Sequence, residues 1–480
     1  MGTLDASAPV LARQRPIVSS EATGSTNRVP SEATSSSKIE NPSSLSSPPG
    51  GYGIYYHVSY LGAPLSYLWL CTTPPALIWE EMSKAYDLGA DRMWILNAGD
   101  IKPAEIDIEF FLQMAWDIRR WDAGTLPNFL PEWAAREFGP DNAASIGALM
   151  EQYYTYNTAR RPEHLQWWLP GEPLVPSALS PAERDLRRDA GITLTGKLGG
   201  LRDRIPAEKQ DAFYELVDYP VQAAVLANNR YFTGETAALK ALSGDHAALD
   251  KLGNLGDILN GQLARVTHRY NVLTAGAKWN GIMQLEPADD RYKSVRIAAW
   301  HVPAFKRPLP PEIRPPLALA QPDPGAITPG KTSTWRPIRG LGQTGAACAL
   351  IPASAPAVPP DRAASDASVL VFNYALETAQ PATAMVTARI HILPTHASDN
   401  SGKYRFAYAF DAAPATTPAP APQFIERSIN DGGPAWEQGV LSNERIIIIA
   451  LPPAARAVGA HKLAIYGLSP GMVVDRVTIE

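Results

Sequence analysis

The sequence predicts a multidomain chain of three successive classes: a partial (β/α) barrel segment, a helical bundle and a C-terminal antiparallel β-sandwich. Three observations carry this. Over residues 53–121, short β-prone apolar runs alternate with helix-period stretches. Residues 125–285 keep apolar side chains at helical spacing, and from Trp335 short strands recur between turn residues. A chain of 480 residues, 45% of them hydrophobic, has room for two to four domains with sizeable cores.

Residues 1–49 are rich in Ser, Thr and Pro and hold no aromatic residue. Such a segment cannot bury enough apolar area to offset its ordering entropy, so disorder is expected there. At Gly50 the composition changes abruptly. Residues 54–58 and 93–96 read as strands, joined by a helix in which Ile78, Met82, Ala85 and Tyr86 recur at helical spacing. A loop with Asn97, Asp100 and Lys102 follows, then a second helix over about 104–121. In parallel α/β sheets, functional groups sit just past the carboxyl ends of strands. His57, Ser59 and residues 97–102 fall there. A complete (β/α)₈ barrel needs about 250 residues. Residues 50–124 supply two or three strand–helix units, so the expectation is the closing part of a barrel without its opening part.

Residues 125–301 read as a helical bundle. One helix, over about 207–227, is kinked or split by Pro220; another runs over about 250–281 with Leu252, Leu255, Ile258, Leu259, Leu263, Val266 and Tyr270 on one face. Residues 302–334 are proline-dense and read as a surface linker. Residues 335–480 hold the strands of the sandwich, and Tyr404, Phe406, Tyr408 and Phe410 alternate as in a half-buried strand.

Composition excludes several functions. A net charge of −5 leaves no basic footprint, so nucleic acid is not an expected partner. No run of about 18 apolar residues exists to span a membrane, and the N-terminus lacks the charged start and apolar core of a secretory signal. Cys71 and Cys348 lie too far apart in sequence to read as a disulfide framework or a metal site. Serine-nucleophile, phosphate-loop and zinc motifs are absent, and no cofactor is expected. The 12 Trp and 18 Tyr suit sugar-stacking surfaces, although such residues fill cores more often.

Asp100 is the acidic side chain that falls at a strand end. It serves either as a catalytic carboxyl or in an ion pair with Lys102 that fixes the loop. Asn97 can donate to and accept from sugar hydroxyls, or bond its own backbone in an Asn-Ala-Gly-Asp turn. Alternation sends Tyr55 and His57 to one strand face and Tyr56 to the other, and the Tyr55/His57 face is the candidate pocket wall. The bland alternative is a hydrogen-bonded structural histidine. Glu80, Glu81, Glu105 and Glu109 lie inside helices and are weaker site candidates. Arg160 and Arg161 read as a solvated helix end before a bidentate carboxylate clamp.

Residues 55–64, 78–82 and 97–105 together resemble the second half of the catalytic barrel in glycoside hydrolase family 115. Residues 157–163 and 276–280 resemble signatures of that family's helical domain, and residues 459–465 and 470–475 resemble its C-terminal domain. The resemblance covers roughly residue 50 to the end. Residues 281–290 depart from the family pattern. The resemblance implies an α-glucuronidase that removes 4-O-methylglucuronic acid from xylan with inversion. Its substrate is then a polysaccharide or oligosaccharide, glucuronoxylan, and a homodimer is one assembly open to it. Members usually work outside the cytoplasm. Glycoside hydrolysis needs two carboxyl groups flanking the scissile bond. Asp100, at a strand end, is then the catalytic candidate and Tyr55, His57, Asn97 and Lys102 the substrate-binding candidates, the resemblance favouring a site role for Asn97 over its turn reading. The rival reading is a non-catalytic remnant whose β-sandwich binds carbohydrate or packs against another chain.

Overall fold

The computed structural model describes residues 50–58, 69–167, 173–177, 179–284, 302–310, 315–395, 397–398, 401–411, 422–428 and 433–480. The segment 1–49 expected to be disordered, and Ser59, lie outside these residues.

Strand β1 (Gly53–His57) pairs in parallel with β2 (Met93–Asn97), in a register that sets His57 opposite Asn97. Parallel pairing requires a crossover, and α1 (Pro75–Asp87) supplies it. Its start at Pro75 suits a residue with fixed φ and no N–H to satisfy. Helix α2 (Glu105–Trp116) follows β2 and ends five residues short of the expected Trp121, where Asp117 turns extended. Alternation works as expected: Ile54 and Tyr56 face the helices, and Tyr56 stacks on Phe111 of α2 with centroids 6.1 Å apart. Tyr55, Met93 and Ile95 stay exposed on the opposite face. Among the described residues β1 and β2 form a two-stranded sheet, and no barrel closes.

The helical part comprises α3 (Phe129–Phe138), α4 (Pro140–Thr158), α5 (Pro181–Arg202), α6 (Gln210–Phe213), α7 (Tyr219–Leu242) and α8 (His246–His268). Gly139 at φ 90° turns the chain between α3 and α4, a conformation that favours glycine. Helix α5 opens with a capping box between Ser180 and Glu183. The split expected at Pro220 is a π-turn, Tyr214–Asp218, which places the proline in the first turn of α7, where its missing N–H is harmless. The long helix expected over 250–281 stops at His268. A second π-turn (Arg269–Leu273) follows, then Ala275, Gly276 and Ala277 at φ 49°, 62° and 63°. Three left-handed residues in a row end any right-handed helix.

Twelve strands are described in all. The C-terminal ones are β3 (Ala318–Ala320), β4 (Thr334–Arg339), β5 (Ala346–Ile351), β6 (Ser368–Leu376), β7 (Thr387–Ile392), β8 (Lys403–Phe410), β9 (Gln423–Ser428), β10 (Arg445–Ala450), β11 (Gly459–Gly467) and β12 (Val473–Ile479). The short helices α9 (Ala363–Asp366) and α10 (Gly433–Ser442) interrupt them. All pairings are antiparallel, in one sheet ordered β10-β7-β12-β5-β4, with β3 on β12, and a second ordered β6-β11-β8-β9. Strand β3 corrects the linker reading of 302–334, because Ala318–Ala320 completes the ladder of β12. Strand β8 is buried on both faces in its second half, where Ala407 joins Val358, Ala363, Ala367 and Leu468.

Two main apolar cores result. One runs without a break from Ile54 and Tyr56 through Phe110, Phe129 and Tyr154 to Tyr219 and Leu263, and takes in Ile338, Ala347 and Val473 from the sheets. The other gathers Trp335, Leu350, Phe372, Ile390, Phe406 and Ile465 from both sheets.

Candidate active-site loop

Because β1 and β2 are parallel and in register, their carboxyl ends bring His57 and Asn97 together. The Asn97 side-chain amide donates to the Tyr55 hydroxyl at 2.8 Å, while its carbonyl oxygen accepts from the Gly99 N–H at 3.1 Å. The turn reading of Asn97 is therefore realised: it closes its own turn, and it ties that turn to the strand face through Tyr55. Gly99 at φ 61° completes the turn. Tyr55 and His57 meet edge to face with centroids 4.7 Å apart. Tyr55, at 39% exposure, leaves its ring open to a ligand.

Asp100 is exposed on this loop. The Asp100–Lys102 ion pair does not form. Lys102 turns away, its ammonium 2.5 Å from Glu215 Oε2 and 2.7 Å from Glu105 Oε1, and 4.9 Å from the centre of the Trp279 ring. Burial alone would lower its pKa, but hydrogen bonds to Glu105 and Glu215 outweigh this and hold it above the ordinary lysine value. Two carboxylates and one indole face account for the three ammonium donors. Glu215 is a residue that sequence reasoning passed over. It rides on the first π-turn, and its Oε1 is buried without a partner among the described residues. Arg269, on the second π-turn, lies 3.9 Å over the Tyr214 ring. Irregular turns of this kind concentrate at functional sites. The i, i+3 spacing of Lys102 and Glu105 was a signal that the Asp100–Lys102 reading overlooked; nothing local signalled Glu215.

The other helical acids are absorbed structurally. Glu109 binds Arg136 through two hydrogen bonds of 2.6 and 2.7 Å. Glu80 pairs with Lys84 at 2.7 Å, both buried, and Glu81 is buried beside them. Arg161 is not a solvated helix end: it is 6% exposed, and its charge acts on the buried carboxyls of Asp107 and Glu163. Burial pushes Asp107 up to about 7, against the pull of hydrogen bonds with Cys71 and Tyr154 and the charge of Arg161. Burial likewise raises Glu163 to about 7. His164 is held well below its ordinary value by burial and by Arg161 and Arg160. Both cysteines are free thiols.

Two family models match the chain. The one described as glycosyl hydrolase family 115 covers residues 15–164, and the one described as glycosyl hydrolase family 115 C-terminal domain covers residues 326–480. The first begins well before Gly50, which extends the resemblance upstream of the point read from sequence. Among solved structures, the chain is similar to BtGH115A, a family GH115 4-O-methyl-α-glucuronidase with specificity for decorated arabinogalactans. The identity is 29% and the TM-score 0.70, covering 90% of this chain and 51% of that one. The chain thus spans about half the length of that relative. A carbohydrate-binding module from Cellvibrio mixtus lichenase 5A, in complex with cellotriose, also matches, at 12% identity and a TM-score of 0.20 over 34% of this chain and 97% of that one; so small a likeness carries no argument. No curated protein matches. The class defined by these likenesses is that of the glycoside hydrolases. Within it, the chain belongs to glycoside hydrolase family 115.

Proposed function

We propose that this chain takes part in removing α-1,2-linked (4-O-methyl)glucuronic acid from glucuronoxylan by inverting hydrolysis, and that the loop after β2 is its contribution to the sugar site. The observation that supports this is the joining of Asn97, Tyr55 and His57 at the carboxyl ends of two parallel strands. In this reading Tyr55 and His57 line the sugar, Asn97 bonds its hydroxyls, and Asp100 is the carboxyl that the chain offers to the reaction. Lys102 serves from behind. Its charge is matched by Glu105 and Glu215, so it fixes the loop against the π-turn and leaves the uronate to other groups. The domain reading that accompanies this is a barrel segment over 50–124, helices over 125–301 and a β-sandwich to residue 480 that begins upstream of Trp335, since β3 belongs to its sheet.

The test is incubation with uronic-acid-bearing xylan oligosaccharides, with detection of free 4-O-methylglucuronate and of its anomeric form. Release of the β-anomer, lowered at least about 10²-fold by Asn97→Ala, is expected where one positioning contact is lost. Turnover of arabinogalactan fragments in place of xylan would move the substrate class. No turnover on either leaves the non-catalytic, carbohydrate-binding reading in its place.

A further inference from the structure

The helices of a strand–helix unit run opposite to its strands, so the carboxyl ends of α1 and α2 lie at the end away from Asn97. There a cleft of about 720 Å³ opens between α1, the chain after α2 and the start of the sheets. Its volume falls within the range of small-ligand pockets. Each charged group in it can be followed. Glu80 is matched by Lys84 at 2.7 Å, and Lys331 by Asp366 at 2.6 Å. Asp122 accepts from the N–H groups of Gly124 and Thr125, and burial holds the Asp87 carboxyl above its ordinary value, eased by the nearby Ala353 backbone N–H. Arg119 makes one loose contact with Asp117, at 3.8 Å, while 92% exposed. Arg336 is exposed and has no carboxylate partner among the described residues.

What the wall leaves unspent is specific. Two guanidinium groups, Arg119 and Arg336, are open to an anion. The hydroxyls of Ser83, Thr332 and Thr334 have no hydrogen-bond partner among the described residues. Tyr86, 41% exposed, offers a ring face at the mouth. Hydroxyls match sugar hydroxyls as donors and acceptors. A guanidinium fork matches a carboxylate, and an aromatic face covers the apolar side of a pyranose ring. A phosphate ligand would be better served by a run of backbone N–H groups, and the N–H groups of Gly330 and Lys331 are already spent on Ser333 and Asp366.

We propose that this cleft is a second carbohydrate site, binding a short oligosaccharide that bears a carboxylate, remote from the Asn97 loop. The choice of a glycan rests on the hydrolase reading above; the position of the cleft and its free groups do not. Such a site would hold the decorated polysaccharide while the other end of the unit acts on it.

The experiment is calorimetric titration of the whole chain with a glucuronic-acid-bearing xylo-oligosaccharide and with its neutral counterpart. The unsubstituted protein is compared with Arg336→Gln, Tyr86→Ala and Asn97→Ala. Both cleft positions are surface-exposed, and an unchanged thermal melt verifies that the variants fold. A binding component that survives Asn97→Ala, weakens about ten-fold or more in Arg336→Gln and in Tyr86→Ala, and prefers the acidic sugar about ten-fold is expected for a charge-assisted contact. Binding abolished by Asn97→Ala, unmoved by the cleft variants, or equal for the neutral sugar overturns the proposal and leaves the hydrolase reading intact. Cleft binding that persists in a chain with no release activity overturns the hydrolase reading alone.

Discussion

Replacing Asp107 with asparagine should stabilise the protein above neutral pH and leave it almost unchanged in acid. The Asp107 carboxyl is completely buried, and burial raises its pKa from 3.8 to about 7, although Cys71, Tyr154 and Arg161 all pull it down. A folded-state pKa above the unfolded one means that the native protein favours the protonated form. That contribution is complete below about pH 4 and is lost as pH rises through about 7. A tenfold change in proton affinity corresponds to about 1.4 kcal/mol, so at pH 8, where Asp107 ionises in both states, the native state loses about 4 kcal/mol relative to the unfolded one. Asparagine copies the protonated carboxyl in shape and can still accept the Tyr154 hydroxyl, which lies 3.4 Å from Oδ1. The assay is urea unfolding of both proteins from pH 4 to pH 8.5. Other titrating groups, His164 among them with its opposite sign, cancel in the difference. A gap that widens with pH and levels off above about pH 8 is expected. A gap independent of pH, or a variant less stable than its parent at pH 8, would show that Arg161 keeps the carboxylate ionised at no cost.

Lys102→Met removes the cation between Glu105 and Glu215 and should destabilise the chain by about 3 kcal/mol in denaturant unfolding. Adding Glu215→Gln to it should recover part of that loss. Ser180→Ala breaks the α5 capping box and should lower stability by about 1 kcal/mol, read as a small drop in Tm. Asn97→Ala should remove only about 1 kcal/mol of stability, the value of its bonds to Tyr55 and Gly99. A loss of sugar binding or release far beyond that marks a ligand contact, and a loss in proportion to stability marks a turn.

The β1–α1–β2–α2 unit was legible because its side chains obey simple periods. The same alternation that buries Ile54 and Tyr56 exposes Tyr55, and the parallel crossover follows from strand, helix and strand in sequence. The end of α8 was not legible. Apolar spacing continues through Tyr270, and the break comes from Ala275 and Ala277 in left-handed conformations that alanine does not advertise. Each costs roughly 1–2 kcal/mol, and only tertiary contacts such as the 2.9 Å bond from the Ala275 N–H to Asp211 sustain them. Strand β3 hid among prolines because three residues carry no period, and its pairing with Val477–Ile479 decides its conformation. In the candidate site, the meeting of Asn97, Tyr55 and His57 was legible from the strand ends. Glu215 was not, since it reaches Lys102 across 113 positions of chain.

The first apolar core does not stop where the sheets begin. Ile338, Leu341, Ala347, Ala349 and Val473 plug into it from the C-terminal side, and Arg339 crosses to Glu151 with two bonds of 2.6 and 2.7 Å. The sheets are therefore no detachable module. A fragment starting at Trp335 would leave β12 without β3 and bare a wet, greasy scar where α1 and α4 had been. Exchanging this half between relatives succeeds only if those five plug residues travel with the surface that receives them, and the native seam should resist shear as one mortised joint instead of swinging as a hinge.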